Sequence, residues 1–223
     1  MLKLAFRVLA GLLAAAGATT VVLSGVRAAT TECEEWPAFT SVGAKVLTQY
    51  SYFTLWSAIV GVIVAAAYAA GFARTQTTWA RVARLEAAMM LIVTGLVYNL
   101  IIADGTAKQG VDAVTNAMHH LVLPVALPAL WVLSMPQRST RDITWGVIGR
   151  ALILPTVWVA WCLARGAATG FYPYDFLNAA TLGYPTALRN IAGVYVLFFV
   201  LTGLLSGVER LLQRPRHTQG APR

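Results

Sequence analysis

Six runs of mostly apolar residues, each close to the length that crosses a bilayer, dominate this chain and decide its solvent. A hydrocarbon core about 30 Å thick takes about 20 residues of helix at about 1.5 Å per residue. The runs cover residues 4–26, 54–72, 85–103, 117–135, 147–164 and 188–208. Lipid offers the backbone no hydrogen bonds, so segments of this kind must be helical. The expected fold is all-α: a polytopic membrane helix bundle of about six transmembrane helices, one domain over residues 1–210, with a disordered basic tail at 211–223. Composition agrees, since 58% of residues are hydrophobic and 12% charged, whereas a soluble surface uses about 25%. The fourth run carries His119, His120, Pro124 and Pro128 and the fifth Pro155; membrane helices tolerate proline where neighbours satisfy the freed carbonyls.

The net charge of +8 asks for an explanation. Nucleic acid is not one, because no basic stretch has interleaved aromatics and no groove-reading motif is present. Topology is, because Lys and Arg collect on the cytoplasmic side. With the N-terminus inside, 12 of the 17 basic residues fall on the cytoplasmic side against three acids, and five fall outside against six, among them Glu32, Glu34 and Glu35. Both termini are therefore expected to be cytoplasmic, with the plasma or inner membrane as the location. The first run could be a secretory signal ending near Ala28–Ala29, but its apolar length from Val8 to Val26 favours an anchor. Cys33 and Cys162 are too few for a disulfide framework; Cys162 reads as a small buried hydrophobe, and Cys33 lies beside glutamates that disfavour its thiolate.

Polar residues inside such helices are functional candidates by default. Glu86 and Glu209 stand at cytoplasmic helix ends and read as interfacial anchors or salt-bridge partners. The outward ends are richer. Tyr50, Thr54 and Ser57 share a stripe at i, i+4, i+7 spacing; Thr94, Tyr98 and Asn99 end the third run; Asn116, His119 and His120 open the fourth; Arg165, Tyr172, Tyr174 and Asp175 follow the fifth. An aromatic belt explains part of this layer, and a polar pocket explains the two adjacent histidines better. Neighbouring histidines on a helix point about 100° apart, which disfavours a bis-histidine haem, and neither has a carboxylate or cysteine at zinc-ligand spacing. No metal or other cofactor is expected. A neutral imidazole acting as base on a hydroxyl needs only those two groups in reach. G-x-S-x-G, kinase and P-loop signatures are missing.

Tyr50-Ser51-Tyr52-Phe53-Thr54, Val93-Thr94-Gly95-Leu96-Val97-Tyr98-Asn99, His120-Leu121-Val122-Leu123-Pro124 and the run from Arg165 through Phe171-Tyr172-Pro173-Tyr174-Asp175-Phe176-Leu177 resemble the androgen-induced and androgen-dependent TFPI-regulating protein family. They look most like its bacterial multi-pass members, and the resemblance spans about Tyr50 to Arg210. Eukaryotic members are membrane threonine hydrolases that cleave fatty acid esters of hydroxy fatty acids with an intramembrane threonine and histidine. The resemblance implies Thr54 as nucleophile. It implies His120 as base on the bacterial spacing to proline and on counting from Asn116; counting back from Pro124 as in the animal proteins selects His119. Tyr98, Asn99, Tyr174 or Arg165 would donate to an oxyanion. Tyr50, Ser57, Asn116 and Tyr172 would line the substrate site. Asp175 would either orient the histidine or cap its loop.

The expected function is thus an integral membrane lipid-ester hydrolase whose partners are membrane lipids or lipid esters. The alternative is a non-catalytic multi-pass protein that binds or moves a lipid through the same pocket. A third reading, a packing partner for other helices, rests on Gly203 and Gly207 as a small-xxx-small pair.

Overall fold

The computed structural model describes residues 1–31, 39–103 and 105–213. The helices are α1 (Leu2–Thr30), α2 (Val42–Gln49), α3 (Phe53–Ala69), α4 (Thr78–Val97), α5 (Gly110–Ala117), α6 (Leu123–Ser134), α7 (Trp145–Ala151), α8 (Ile153–Thr169), α9 (Ala179–Leu182) and α10 (Tyr184–Leu212). No strand occurs among the described residues. A wide π turn, Tyr98–Ile102, extends α4, and another, Met118–Val122, joins α5 to α6. Among the described residues, five helical segments are long and apolar enough to cross a membrane: Leu2–Thr30, Thr78–Ile102, Gly110–Gln137, Trp145–Thr169 and Tyr184–Leu212. A sixth forms if α2 and α3, bent by 73°, count as one span. The protein is a multi-pass helical bundle.

Several spans depart from the sequence expectation, and the second, expected at 54–72, ends at Ala69. The third starts at Thr78 instead of 85 because the Thr77 hydroxyl accepts from the Ala80 N–H at 3.3 Å and caps the helix. Pro155 stands in the first turn of α8, just after a break at Leu152, where its missing N–H leaves no carbonyl stranded deep in a helix. The last helix reaches Leu212, into the expected tail; residues 214–223, like Cys33 and the 32–35 glutamates, lie outside the described residues. The first helix is part of the core: Phe6, Ala10, Leu13 and Ala14 pack with Ala58, Val64, Ala65 and Tyr68 of α3. At Gly17 a Cβ would stand 2.7 Å from Val62 Cγ2, so glycine sets that helix separation.

The end of the bundle away from the histidines is tied by charge. Asp142, 0% exposed, receives two bonds from Arg84 (2.8 and 2.7 Å), one from Arg138 and one from the Trp131 indole at 3.0 Å. Glu209 is fully buried instead of lying at the water boundary: it accepts the backbone N–H groups of Asp142 and Ile143 at 2.7 and 3.0 Å and, as the salt-bridge alternative expected, pairs with Arg138 at 3.9 Å. This network fastens the 138–144 loop to α4 and α10. Between its ends α10 is the least packed of the five long spans, 17% buried in its apolar window. Gly203 and Gly207 have open space where a Cβ would be, so they bring no helix of this chain close.

Candidate functional site

Thr54 owes its position to the break between α2 and α3. Three indole N–H groups hold that break: Trp56 donates to the Tyr50 carbonyl (2.8 Å), Trp158 to the Ser51 carbonyl (2.9 Å) and Trp161 to the Ser51 hydroxyl (3.2 Å). The first turn of α3 is thereby set inside the bundle, with Thr54 as its second residue. Ser57 donates to the Thr54 carbonyl and pairs with the Thr94 hydroxyl, each at 2.9 Å, which locks the turn to α4.

His120 is positioned from the opposite side. Pro124 lacks the N–H that would ordinarily bond the His120 carbonyl. The Asn99 amide donates there instead, at 3.0 Å, and to the Gly95 carbonyl at 2.8 Å. Gly95 allows the approach, since a Cβ there would stand 2.8 Å from Pro124 Cβ. The two π turns, a feature frequent at functional sites, face each other, and Tyr98 lies flat on the imidazole with ring centres 3.5 Å apart.

The imidazole bridges two helices. Its Nδ1 lies 2.9 Å from Asn116 Oδ1 and its Nε2 3.3 Å from the Thr54 hydroxyl. With the Asn116 carbonyl as acceptor the proton sits on Nδ1, so Nε2 presents its lone pair to Thr54. This is the nucleophile, base and orienter arrangement of triad chemistry. On the other side of Thr54, the Tyr174 hydroxyl stands 3.4 Å away. Burial pushes the Tyr174 phenol up to about 12, against the opposing pull of hydrogen bonds from Thr54 and from the backbone of Thr54 and Phe53. It therefore keeps its proton at neutral pH. The phenol oxygen accepts those backbone bonds, and its own O–H is left as a donor beside the Thr54 hydroxyl.

Two spaces meet at this point. A narrow apolar pocket runs between α4, α8 and α10, walled by residues such as Met90, Val93, Trp158, Ile191 and Phe198. A wider, more polar cleft of about 840 Å³ opens on the other side, past Arg27, Lys45, Asn116 and His119. Thr54, Tyr98, Ile102 and Tyr174 border both.

The residues singled out in the sequence separate into groups. Thr54, His120, Tyr98 and Tyr174 come together. Asn116 lines the cleft and also orients the imidazole, whereas Asn99 holds the His120 backbone and lines neither space. Ser57 also binds the turn and lines neither space. Arg165 lines neither space: its guanidinium lies over Phe39 and Phe171, at 5.0 and 4.5 Å, and donates to Thr48 at 2.7 Å. Tyr50 donates to the Val21 carbonyl of α1 at 2.9 Å. Tyr172 is seated on Gly166, where a Cβ would fall 2.2 Å from its ring. Asp175 is exposed at the start of the Asp175–Leu177 turn and does not reach the imidazole, whose Nδ1 is already held by Asn116. His119, the other histidine, is buried and faces the cleft. Sequence reasoning missed the orienting role of Asn116, although its i, i+4 spacing to His120 signals it. It also missed the cleft residues from α1, which only tertiary packing brings near. Among the described residues no cluster of His, Cys, Asp or Glu could hold a metal. No known family model, curated protein or solved structure matches the chain.

Proposed function

We propose that the protein is an integral membrane ester hydrolase acting on a lipid ester, with Thr54 as nucleophile and His120 as general base. The observation that carries this reading is the Asn116–His120–Thr54 chain of hydrogen bonds at the junction of an apolar cavity and a polar cleft. An acyl chain fits the apolar side, and water reaches the other. His120 Nε2 takes the Thr54 proton as Oγ1 attacks the ester carbonyl; the tetrahedral intermediate collapses, and His120 returns the proton to the departing alcohol. Water, deprotonated by the same imidazole, then attacks the acyl-threonine, releases the acid and restores the hydroxyl. Tyr174 donates to the oxyanion in both steps.

The resemblance to the threonine hydrolase family supports the same assignment, with fatty acid esters of hydroxy fatty acids as a substrate class. The charge distribution supports cytoplasmic termini and a site towards the outer leaflet of the plasma or inner membrane. A fluorophosphonate probe tests the nucleophile on the detergent-solubilised chain. Wild type and Thr54→Ser label, Thr54→Ala does not, and His120→Ala slows labelling by about a hundredfold or more. Equal labelling of wild type and Thr54→Ala overturns the reading and leaves a lipid-binding protein that uses the same cavity.

A further inference from the structure

The polar cleft holds groups that the reaction at Thr54 does not use. His119 lines it, 3% exposed, and its Nε2 has no hydrogen-bond partner among the described residues. Buried polar nitrogens are costly unless something supplies a partner. The adjacent His120 has both nitrogens engaged, and neighbours on a helix point about 100° apart, so His119 offers its ring to a different part of the cleft.

Among the described lining residues the charge at the rim is mostly positive. Arg27, Lys45 and Lys108 line the cleft, and Asp112 is the acid among its described lining residues. Asp112 is already taken: Arg27 holds both of its oxygens, at 3.0 and 2.6 Å. That bridge joins α1 to α5 and neutralises the carboxylate that would repel an anion. Lys108 is exposed on the loop before α5 and makes no ion pair among the described residues.

We propose that the cleft is a head-group site for an anionic amphiphile. His119 Nε2–H donates to one anionic oxygen, Lys108 supplies charge from the rim, and the acyl chain passes Thr54 into the apolar cavity. Carboxylate and phosphate share this chemistry. The placement of the chain rests on the hydrolase reading; recognition of the head group does not require turnover.

The test measures ligand-induced Tm shifts of the detergent-solubilised full-length chain, as wild type and as Thr54→Ala. The probes are palmitate, hexadecyl phosphate, the neutral hexadecanol and inorganic phosphate. At least one anionic amphiphile raises Tm by about 3 °C or more beyond hexadecanol, and the larger of the two shifts names the head group. Lys108→Gln and His119→Gln each remove most of that difference. The unliganded Tm of Lys108→Gln, an exposed position, matches wild type and shows that the fold is intact. The proposal is overturned if hexadecanol shifts Tm as much, if the preference survives both substitutions, or if inorganic phosphate alone gives the full shift. An anion preference without Thr54-dependent hydrolysis keeps the site and removes the hydrolase; hydrolysis without the preference does the reverse.

Discussion

Tyr98 stacks on His120 with the two rings 7° from parallel, and this contact fixes the plane in which the imidazole reaches both Thr54 and Asn116. Aromatic pairs contribute about 0.5–1.5 kcal/mol beyond simple burial. Tyr98→Phe should therefore retain ester hydrolysis near the wild-type rate, while Tyr98→Ala should lower kcat by about two- to tenfold. Steady-state hydrolysis of a long-chain ester checks this, and equal rates for the two variants would remove the stacking role.

Asn116 controls the tautomer. Losing its acceptor frees the proton to sit on Nε2, where it faces the Thr54 hydroxyl and disables the base. Asn116→Ala should cut kcat by about 10²-fold, within the range expected for general-base catalysis. Asn116→Asp keeps an acceptor at Nδ1 and should retain most of the rate. Comparing the two variants under saturating ester separates orientation from loss of fold.

Much of this was legible in the residues, and the missing part has a physical pattern. The spans followed from hydropathy, because burial in lipid acts on every residue of a helix at once. Thr54, His120, Tyr98 and Tyr174 stood out as polar groups at one depth. The role of Arg165 did not, because a guanidinium lying on Phe39 and Phe171 looks in sequence like one facing a cavity. Glu209 was legible only in part: a salt bridge was among its expected roles and it pairs with Arg138, but its closest partners are backbone N–H groups of a loop 66 and 67 residues away, which no local pattern specifies.

The Tyr174 phenol is expected to supply an oxyanion hydrogen bond, and such a donor is worth roughly 2.7–4 kcal/mol in other enzymes. Tyr174→Phe should lower kcat by about 10²–10³-fold with little change in KM. The group is a donor while protonated, and burial has pushed it up to about 12. Its contribution is therefore present at neutral pH and lost only as pH rises through that value. A kcat profile from pH 7 to about pH 10 should show no falling limb that disappears in Tyr174→Phe.

Asp142 is the hub of the distant ionic network, and removing it takes the carboxylate partner from buried Arg84 and leaves Arg138 only the longer pair with Glu209 at 3.9 Å. Breaking a buried pair by deleting one partner costs about 3–5 kcal/mol. Asp142→Ala should lower Tm in detergent by roughly 6–20 °C. Thr54 lies at the other end of the bundle, so fluorophosphonate labelling well below the new Tm should persist. Loss of labelling without loss of stability would mean that the loop at 138–144 is coupled to the site.

Gly95 separates packing from chemistry most directly. A methyl group there would sit 2.8 Å from Pro124 Cβ and 3.5 Å from the His120 carbonyl. Proline has no flexible side chain to swing aside, so α6 must move away from α4. Overpacking of this kind costs about 1–3 kcal/mol. The same shift lengthens the Asn99 bond to the His120 carbonyl and carries the imidazole away from Thr54. Gly95→Ala should therefore lower Tm by a few degrees and hydrolysis by more than tenfold, although residue 95 touches neither reacting atom. Gly193→Ala is the control, because a Cβ there meets nothing within 4 Å. If Gly95→Ala loses stability but hydrolyses ester at the wild-type rate, the α4–α6 contact is structural only, and the 3.3 Å approach of His120 to Thr54 does not depend on it.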